Sequence, residues 1–284
     1  MELIALQTFV AVVDEGGILA ASRQLNTVQS NVTSRIHRLE EELGCALFFR
    51  KGRGLELAPA GRVLLDYARR MVLLARQTSD AVRQVGISAG ELRIGSMETI
   101  AALYLPKALR ALKATHTQLA LRVLTDTSSA LTEKVLDHKL ECALVAGPIV
   151  HPDIEFDVLI IEELVQIHAV GTDPVLQPLI VFREGCAYRA RALAWQRATG
   201  HAVADAMTFG TLEGILGCVA AGLGWALMPR RVVEQSPHVA DLVIVAIPDT
   251  FSRVPIGVIY LREAPAMAAL KTLKESVILT AQAL

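Results

Sequence analysis

Residues 25–44, LNTVQSNVTSRIHRLEEELG, constrain the fold more than any other stretch, because a regular apolar stripe runs beside an unusual polar face. The stripe advances in steps of three or four residues, as one buried side of an α-helix does; it consists of Val28, Val32, Ile36, Leu39 and Leu43. The other side carries short hydrogen-bonding side chains where a solvated helix usually carries Glu and Lys. Such side chains suit the reading of base edges in the DNA major groove, but an ordinary solvated polar face explains this helix, taken alone, equally well.

Two shorter helices are predicted before it. The first covers about residues 3–15 and ends at Gly16-Gly17, and the second covers residues 18–25. A break at Asn26-Thr27 follows, and either side chain can cap the third helix. This is a helix-turn-helix, whose last helix enters the major groove. The predicted DNA-contacting residues of the third helix are Gln29, Ser30, Asn31, Thr33, Ser34, Arg35 and Arg38.

The next stretch, ALFFRKGRGLEL at residues 46–57, predicts a β-hairpin wing. Two apolar runs flank a basic turn in which Arg50, Lys51 and Arg53 can reach phosphates or the minor groove. The basic excess is local, since residues 1–90 hold 11 Lys and Arg against 9 Asp and Glu in a chain of net charge −1. We expect a duplex-DNA partner.

A long helix is predicted from Pro59 to about residue 85. Its apolar residues form a stripe that a small domain cannot bury alone, so we expect it to pair with a second copy of the chain. The stripe consists of Val63, Leu64, Tyr67, Met71, Leu74 and Val82.

The N-terminal sequence resembles the LysR-type transcriptional regulators over a long and specific pattern. The matching residues are Ala20, Ala21, Leu25, Gln29, Ser30, Val32, Thr33, Ile36, Leu39, Glu40, Leu43, Gly44, Leu47, Phe48, Arg50, Arg53, Leu57, Ala60 and Gly61. Two positions depart from it. Val28 replaces the usual Ser, which leaves capping to Asn26 or Thr27, and Ala58 replaces the usual Thr before the linker helix.

The remaining residues alternate strand and helix patterns, which predicts parallel, doubly wound α/β sheets. The resemblance implies a bilobal effector domain like that of periplasmic binding proteins, made of two α/β subdomains. The predicted divisions are a winged helix-turn-helix at 1–58, a linker and dimerisation helix at 59–89, and an effector domain at 90–284. Its first lobe covers about 90–161 and 266–284, and its second lobe covers about 162–265. The resemblance further implies a homodimer or a dimer of dimers, with RNA polymerase as another partner.

Ligands of such sheets bind at the carboxyl ends of strands, near helix N-termini. The residues predicted at these ends are Ser96, Met97, Thr99, Thr127, Ser128, Gly147, Arg183, Gly185 and Cys186. We expect a small anionic effector there, although the charge of Glu98 argues against one. Helix capping by the Ser and Thr residues is the alternative interpretation, and one group can serve both purposes.

Cys186 admits a second function. It follows Arg183 and precedes Arg189 near a predicted helix start, and such surroundings lower a thiol pKa and raise its reactivity. A cytosolic solute-binding or redox-sensing module that uses Cys186 is therefore the alternative to a ligand-controlled regulator.

Other protein classes find little support. The four cysteines are far apart without a CxxC pair, which argues against disulfides and zinc. No HExxH, Walker or GxGxxG motif occurs, so we predict no enzyme, metal or cofactor. The N-terminus lacks the basic start of a signal peptide, and no run reaches the about 20 apolar residues of a membrane span. We expect a cytoplasmic protein without a membrane partner.

Overall fold

The structure, a computed structural model, describes residues 1–51, 54–84, 90–199, 206–264 and 267–283. The chain divides into two compact units, Met1–Ile87 and Ser88–Leu284.

The N-terminal unit is a winged helix-turn-helix followed by a long helix, as predicted. Its elements are α1 (Leu3–Asp14), α2 (Ile18–Gln24), α3 (Gln29–Leu43), β1 (Phe48–Lys51), β2 (Gly54–Leu57) and α4 (Pro59–Gln84). The central residues of the α3 stripe, Val32, Ile36 and Leu39, are buried in a core with Leu6 and Phe9 of α1. The two ends of the stripe, Val28 and Leu43, stay exposed.

The predicted cap of α3 is wrong. Val28 occupies the N-cap position and makes no side-chain hydrogen bond there. The Thr27 hydroxyl oxygen is taken by the side-chain amide of Asn31, whose Nδ2 lies 3.1 Å from Thr27 Oγ1. Asn26 has a φ of +49° in the turn after α2, which removes it from the helix start. The exposed α3 terminus therefore keeps its first N–H groups open to an outside acceptor.

The apolar stripe of α4 divides between two environments. Leu64 packs against the N-terminal core, contrary to its predicted place in the exposed stripe. Val63, Tyr67, Met71 and Leu74 lie along one exposed side, each with at least 42% of its surface accessible. The side chain of the sixth predicted member, Val82, lies outside the described residues. Four large apolar groups on one helix face are what a helix–helix interface uses.

The C-terminal unit contains nine strands and eight helices among its described residues. They are β3 (Gly90–Ser96), α5 (Glu98–Leu103), α6 (Leu105–Thr115), β4 (Leu119–Thr125), α7 (Ser128–Leu136), β5 (Cys142–Ala146), β6 (Ile154–Ala169), β7 (Ile180–Phe182), α8 (Ala187–Ala198), β8 (Met207–Phe209), α9 (Leu212–Ala220), β9 (Ala226–Pro229), α10 (Arg230–Glu234), β10 (Leu242–Ala246), α11 (Asp249–Ser252), β11 (Arg253–Leu261) and α12 (Ala268–Gln282).

Two long strands connect the lobes. β6 is one strand of 16 residues, Ile154–Ala169. Its first part pairs with β11, and its last part pairs with β9 and β10 of the second lobe. β11 also pairs with β5 over Ile256–Tyr260, so the chain has returned to the first lobe well before the predicted boundary near 265.

The sheets are mixed rather than wholly parallel. β3 pairs in parallel with β4 and β5, and β7 pairs in parallel with β8. The crossing strands run antiparallel to their neighbours, because each lobe receives a strand that returns from the other lobe. The parallel strand ends still place three turns, after β3, β4 and β7, beside one another.

Candidate DNA-binding surface and effector site

The outer face of α3 presents most of the predicted DNA-contacting side chains to solvent. Gln29, Ser30, Asn31, Ser34 and Arg38 are exposed, and Thr33 and Arg35 are half-buried. In a helix-turn-helix protein, the N-terminal residues of the recognition helix enter the major groove, and this exposed polar face lies at that end of α3.

Besides Asn31, which donates to Thr27, two predicted DNA-contacting residues are engaged within the unit. Arg35 donates to Thr8 Oγ1 of α1 at 3.4 Å, and Arg38 pairs with Glu2 at 3.4 Å. Arg35 is thus placed to hold α3 against α1 as well as to face outward. The exposed Arg38–Glu2 pair is weak, since exposed ion pairs contribute little, and leaves Arg38 available to a phosphate.

The wing is a two-stranded antiparallel hairpin in which Phe48 pairs with Leu57 and Lys51 with Gly54. Arg50 and Lys51 belong to β1, next to the tip, but their side chains lie outside the described residues. Arg53 also lies outside them. The predicted role of these three cations therefore rests on the hairpin and on the sequence.

In the C-terminal unit, the turns after β3, β4 and β7 surround a cavity of about 70 Å³, about twice the roughly 30 Å³ that one water occupies in the liquid. The residues that line it are Met97, Glu98, Thr99, Thr125, Asp126, Thr127, Phe182, Arg183, Cys186, Tyr188 and Gly210. Five of the nine predicted effector residues are among them. Both lobes contribute, so the cavity is the cleft between them.

The other four predicted residues do not line the cavity, and three of them support its lining from behind. Ser96 is buried and donates to the carbonyl oxygen of Met97 at 3.0 Å. Ser128 is buried and accepts from the backbone N–H of Ala146 at 3.2 Å. Gly185, at φ +84°, packs so closely on Thr127 that a Cβ there would meet its hydroxyl at 2.8 Å. These contacts support the turns that shape the cavity.

Gly147, the fourth of these residues, lies against an aromatic ring rather than at the cavity. A Cβ on Gly147 would meet the Phe156 ring at 2.5 Å. Only a residue without a side chain fits between this turn and β6, so Gly147 is explained by packing.

Asp126 and Arg183 form an ion pair across the cleft, with Arg183 Nη2 2.9 Å from Asp126 Oδ1. Asp126 also accepts from Lys134 and from the backbone N–H of Thr127, each at 2.9 Å. Burial raises the pKa of the Asp126 carboxyl, but these hydrogen bonds and the charges of Lys134 and Arg183 outweigh it, so the pKa lies below its usual value. The carboxylate is ionised at neutral pH.

Two further contacts join the lobes at the cavity. Glu98 Oε1 of the first lobe accepts from the backbone N–H of Leu212, at 2.8 Å, in the first turn of α9. The N–H of Ser129 donates to the carbonyl oxygen of Gly185 at 3.3 Å. The Thr127 hydroxyl accepts from Ala130 N and caps α7, as the capping interpretation predicted.

A buried carboxylate lies beneath the cavity. Glu162 of β6 accepts from Tyr188 Oη at 2.5 Å and from Tyr104 Oη at 3.2 Å, and Tyr188 in turn lies 3.4 Å from Thr99 Oγ1. Burial raises the pKa of Glu162, while the two phenols and the charge of Arg231 oppose the change. Burial and the Glu162 charge raise the pKa of Tyr104 to about 12. Tyr104 and Tyr188 therefore stay protonated and donate.

Cys186 does not have the reactive environment that the sequence suggested. Its side chain is buried at the start of α8. Burial raises the pKa of the thiol above its usual value, more than the neighbouring N–H groups and the Arg189 charge lower it. The predicted lowering of its pKa is wrong, because desolvation outweighs the nearby positive charges.

Sequence comparison gives the family. Residues 3–62 match the bacterial regulatory helix-turn-helix proteins of the lysR family, and residues 86–279 match the LysR substrate binding domain. The chain belongs to the LysR family. Members of this family are DNA-binding transcription regulators with a substrate-binding domain, and not enzymes.

Two curated LysR-type relatives align over nearly the whole chain. The uncharacterized HTH-type transcriptional regulator YusT of Bacillus subtilis is 36% identical over 280 residues, covering 97% of this chain and 95% of the relative. The HTH-type transcriptional regulator YofA of the same species is also 36% identical, covering 98% of each chain. The regulator assignment is therefore shared over full-length chains, and the alternative of a free solute-binding or redox module is not favoured.

Solved structures share the fold. A full-length OxyR variant from Pseudomonas aeruginosa gives a TM-score of 0.72 at 20% identity, covering 98% of both chains. Full-length CbnR complexed with its target DNA gives 0.65 at 24% identity, covering 99% of this chain and 100% of that one. The fold class expected from the sequence is confirmed.

The structure also bears on membrane and metal binding. Within the described residues, no single helix is long and apolar enough to cross a membrane, and only the bent pair α1–α2 reaches that composition jointly. No group of three His, Cys, Asp or Glu side chains in the described ranges is arranged to hold a metal ion.

Sequence reasoning missed half of the cavity lining. Glu98 was noted only as an argument against an anion, and Tyr188 was not proposed as a site residue. Tyr188 becomes part of the site through Glu162, 26 residues earlier, a contact that no local pattern predicts.

Proposed function

We propose that a small effector carrying a carboxylate binds in the cleft of this LysR-type regulator and controls its interaction with DNA. The observation that supports this most is that side chains of both lobes line one cavity. Among the described residues that line it, Arg183 is the only cation, and it gives Asp126 one of its five N–H donors. The Thr127 hydroxyl lies beside it. An incoming carboxylate would find both.

Binding there would change the contacts that join the lobes. A ligand carboxylate that binds Arg183 competes with Asp126 for its N–H donors. A ligand in the cavity also changes the distance between Glu98 and the backbone N–H of Leu212. The two crossing strands, β6 and β11, are the connections about which the lobes can move. A ligand that binds one lobe arrangement better shifts the population toward it, and the coupled DNA affinity changes by the same free energy.

DNA binding itself is assigned to α3 and the wing. The exposed face of α3 supplies base contacts, and the basic hairpin supplies phosphate contacts. The exposed α4 stripe of Val63, Tyr67, Met71 and Leu74 joins two copies, giving a homodimer or a tetramer of two dimers. RNA polymerase is proposed as a further partner. Because chromosomal DNA is the proposed target, we expect the regulator to act in the bacterial cytoplasm.

The test uses full-length protein and DNA from the intergenic region upstream of its own gene. Fluorescence anisotropy and footprinting would follow binding with a panel of small carboxylic acids. We expect sequence-specific binding whose affinity or footprint changes with at least one acid. Arg183→Ala should lose that response, and Arg197→Ala, at the far end of α8, should keep it. Sequence-independent binding, or an equal response in Arg183→Ala, contradicts the proposal.

A further inference from the structure

Two hydroxyl groups at one side of the cavity belong to a hydrogen-bond chain that ends on a buried carboxylate. We call this side, formed by Thr99 and Tyr188, the cavity floor. Tyr188 Oη lies 2.5 Å from Glu162 Oε2, and Thr99 Oγ1 lies 3.4 Å from Tyr188 Oη. Tyr104 Oη binds the other carboxylate oxygen at 3.2 Å. All four side chains are almost fully excluded from solvent.

The directions in this chain follow from the two tyrosines, which stay protonated and donate to the carboxylate form of Glu162. A carboxylate only accepts hydrogen bonds, and each hydroxyl has a single hydrogen. Tyr188 gives its hydrogen to Glu162, so it can only accept from Thr99. Thr99 then donates its own hydrogen to Tyr188. Both hydroxyls of the floor therefore offer lone pairs, and no hydrogen, to a molecule in the cavity.

The charge around the floor has the same sign. Glu98 lines the cavity, and its Oε1 accepts from Leu212 N, while among the described residues no hydrogen bond engages its Oε2. A ligand carboxylate at the floor would meet these lone pairs and the Glu98 charge. A ligand ammonium group would instead find two hydroxyl acceptors and a carboxylate, which are the partners it needs when it leaves water.

The donors of the cavity belong to other segments of the chain than the floor does. Arg183 and Thr127 belong to the turns after β7 and β4, whereas Thr99 belongs to α5 and Tyr188 to α8. We propose that the effector is a small α-amino acid, with its carboxylate toward Arg183 and Thr127 and its ammonium group toward Thr99, Tyr188 and Glu98. This assignment rests on the proposed function, because it names the ligand of the same cleft. The cavity of about 70 Å³ suits a compound of a few heavy atoms.

The test compares matched probes on full-length wild-type protein. Glycine and alanine carry both groups, acetate and propionate only the carboxylate, methylammonium and ethylammonium only the ammonium group, and lactate a hydroxyl in place of the ammonium group. Thermal shift and calorimetry would measure binding through the millimolar range. We expect an amino acid to bind about tenfold or more tightly than its single-group relatives, since a hydrogen bond to a charged group is worth about that factor.

Two variants test whether the cavity floor binds the ammonium group. Thr99→Val keeps the shape of the side chain and removes the acceptor, so amino-acid affinity should fall about tenfold while acetate affinity stays unchanged. Thr132→Val, on the outer part of α7, is the control and should change neither. A purely structural role of Thr99 would weaken both probe classes together.

Several results overturn the assignment: acetate or lactate binding as tightly as the amino acid, equal loss of amino acid and acetate in Thr99→Val, or no binding by any probe. Operator binding measured on the same preparations separates the two proposals. Specific DNA binding that persists while the probe comparison fails removes the amino-acid assignment alone. Failure of specific DNA binding removes the proposed function whatever the probes do.

Discussion

The outer face of α3 and the cleft of the C-terminal unit are both rich in polar groups, but they differ in what those groups already bind. On α3, Gln29, Ser30 and Ser34 are exposed, and no hydrogen bond within the described residues engages their side chains. In the cleft, Asp126 holds Arg183, and Tyr188 holds Glu162.

This difference distinguishes a docking surface, where these three polar groups are unpaired within the described residues, from a cleft whose polar groups already pair with one another. A partner can dock on α3 without breaking internal contacts, so mutations there should change DNA binding and leave stability almost unchanged. A ligand in the cleft must exchange contacts that join two lobes. Mutations there should change stability and ligand response together. The following experiments test this difference between the two regions.

The largest effect is expected where the N-terminal unit needs a second copy of itself. Tyr67→Asp combined with Met71→Asp places two charges in the exposed α4 stripe, so the dimer should dissociate. Affinity for an operator with two half-sites should fall about 100-fold or more, because linked binding is lost. Arg62→Asp, which changes the net charge by the same amount at an exposed position on another face of α4, should remain dimeric. An intact dimer of the double variant in sedimentation would show that the stripe is not the interface.

The next effect concerns stability in the cleft. Tyr188→Phe removes a donor from the buried Glu162 carboxylate and should cost roughly 1.5–3 kcal/mol, or roughly 3–12 °C in Tm of the C-terminal unit. Tyr260→Phe is the matched control. Tyr260 donates to Asp157 at 2.9 Å, but it is half-buried and Lys274 also pairs with Asp157, so it should cost less than about 1 kcal/mol. Equal melting shifts for the two variants would mean that Glu162 is not held by Tyr188.

On α3, Gln29→Ala should cost roughly 1–3 kcal/mol on the true operator. Its side chain is exposed at the first position of the helix and makes no packing contribution, so Tm should not move. Binding to scrambled DNA serves as the control and should be unchanged. Equal losses on both DNA sequences would reject base reading by Gln29 and make it a general contact.

The smallest effect is expected at the wing. Arg53→Ala should weaken binding to all DNA sequences similarly and lower the salt slope by about 1, because one phosphate contact is lost. Titrations of operator affinity against salt concentration measure this slope. A slope that stays the same would place Arg53 away from the DNA.

What the sequence could predict follows the same division. The α3 helix depends on contacts three and four residues apart, so its stripe and its exposed face were readable from residues 25–44 alone. The strand β6 runs through Glu162-Glu163, although this charged pair interrupts an apolar run of the sequence. In the fold, Glu162 is held by Tyr104 and Tyr188, 58 and 26 residues away along the chain, and only the assembled lobes reveal that a charge belongs there.

The predicted effector site shows a similar limit. Strand-end reasoning located the correct turns, because parallel strands bring their carboxyl ends together. It could not separate Thr99, which lines the cavity, from Ser96, which is buried behind it. Nor could it predict that Asp126 and Glu98 reach across to the other lobe.

If the cleft and the DNA-binding helices are coupled, operator DNA must change ligand affinity by the factor by which the ligand changes operator affinity. Calorimetry can measure this directly. The amino acid that binds tightest in the probe screen would be titrated by calorimetry into full-length protein, alone and saturated with operator DNA. We expect its affinity to differ between the two titrations by the same factor by which it changes operator affinity. An amino acid that binds the cleft with equal affinity on and off the operator would contradict this coupling.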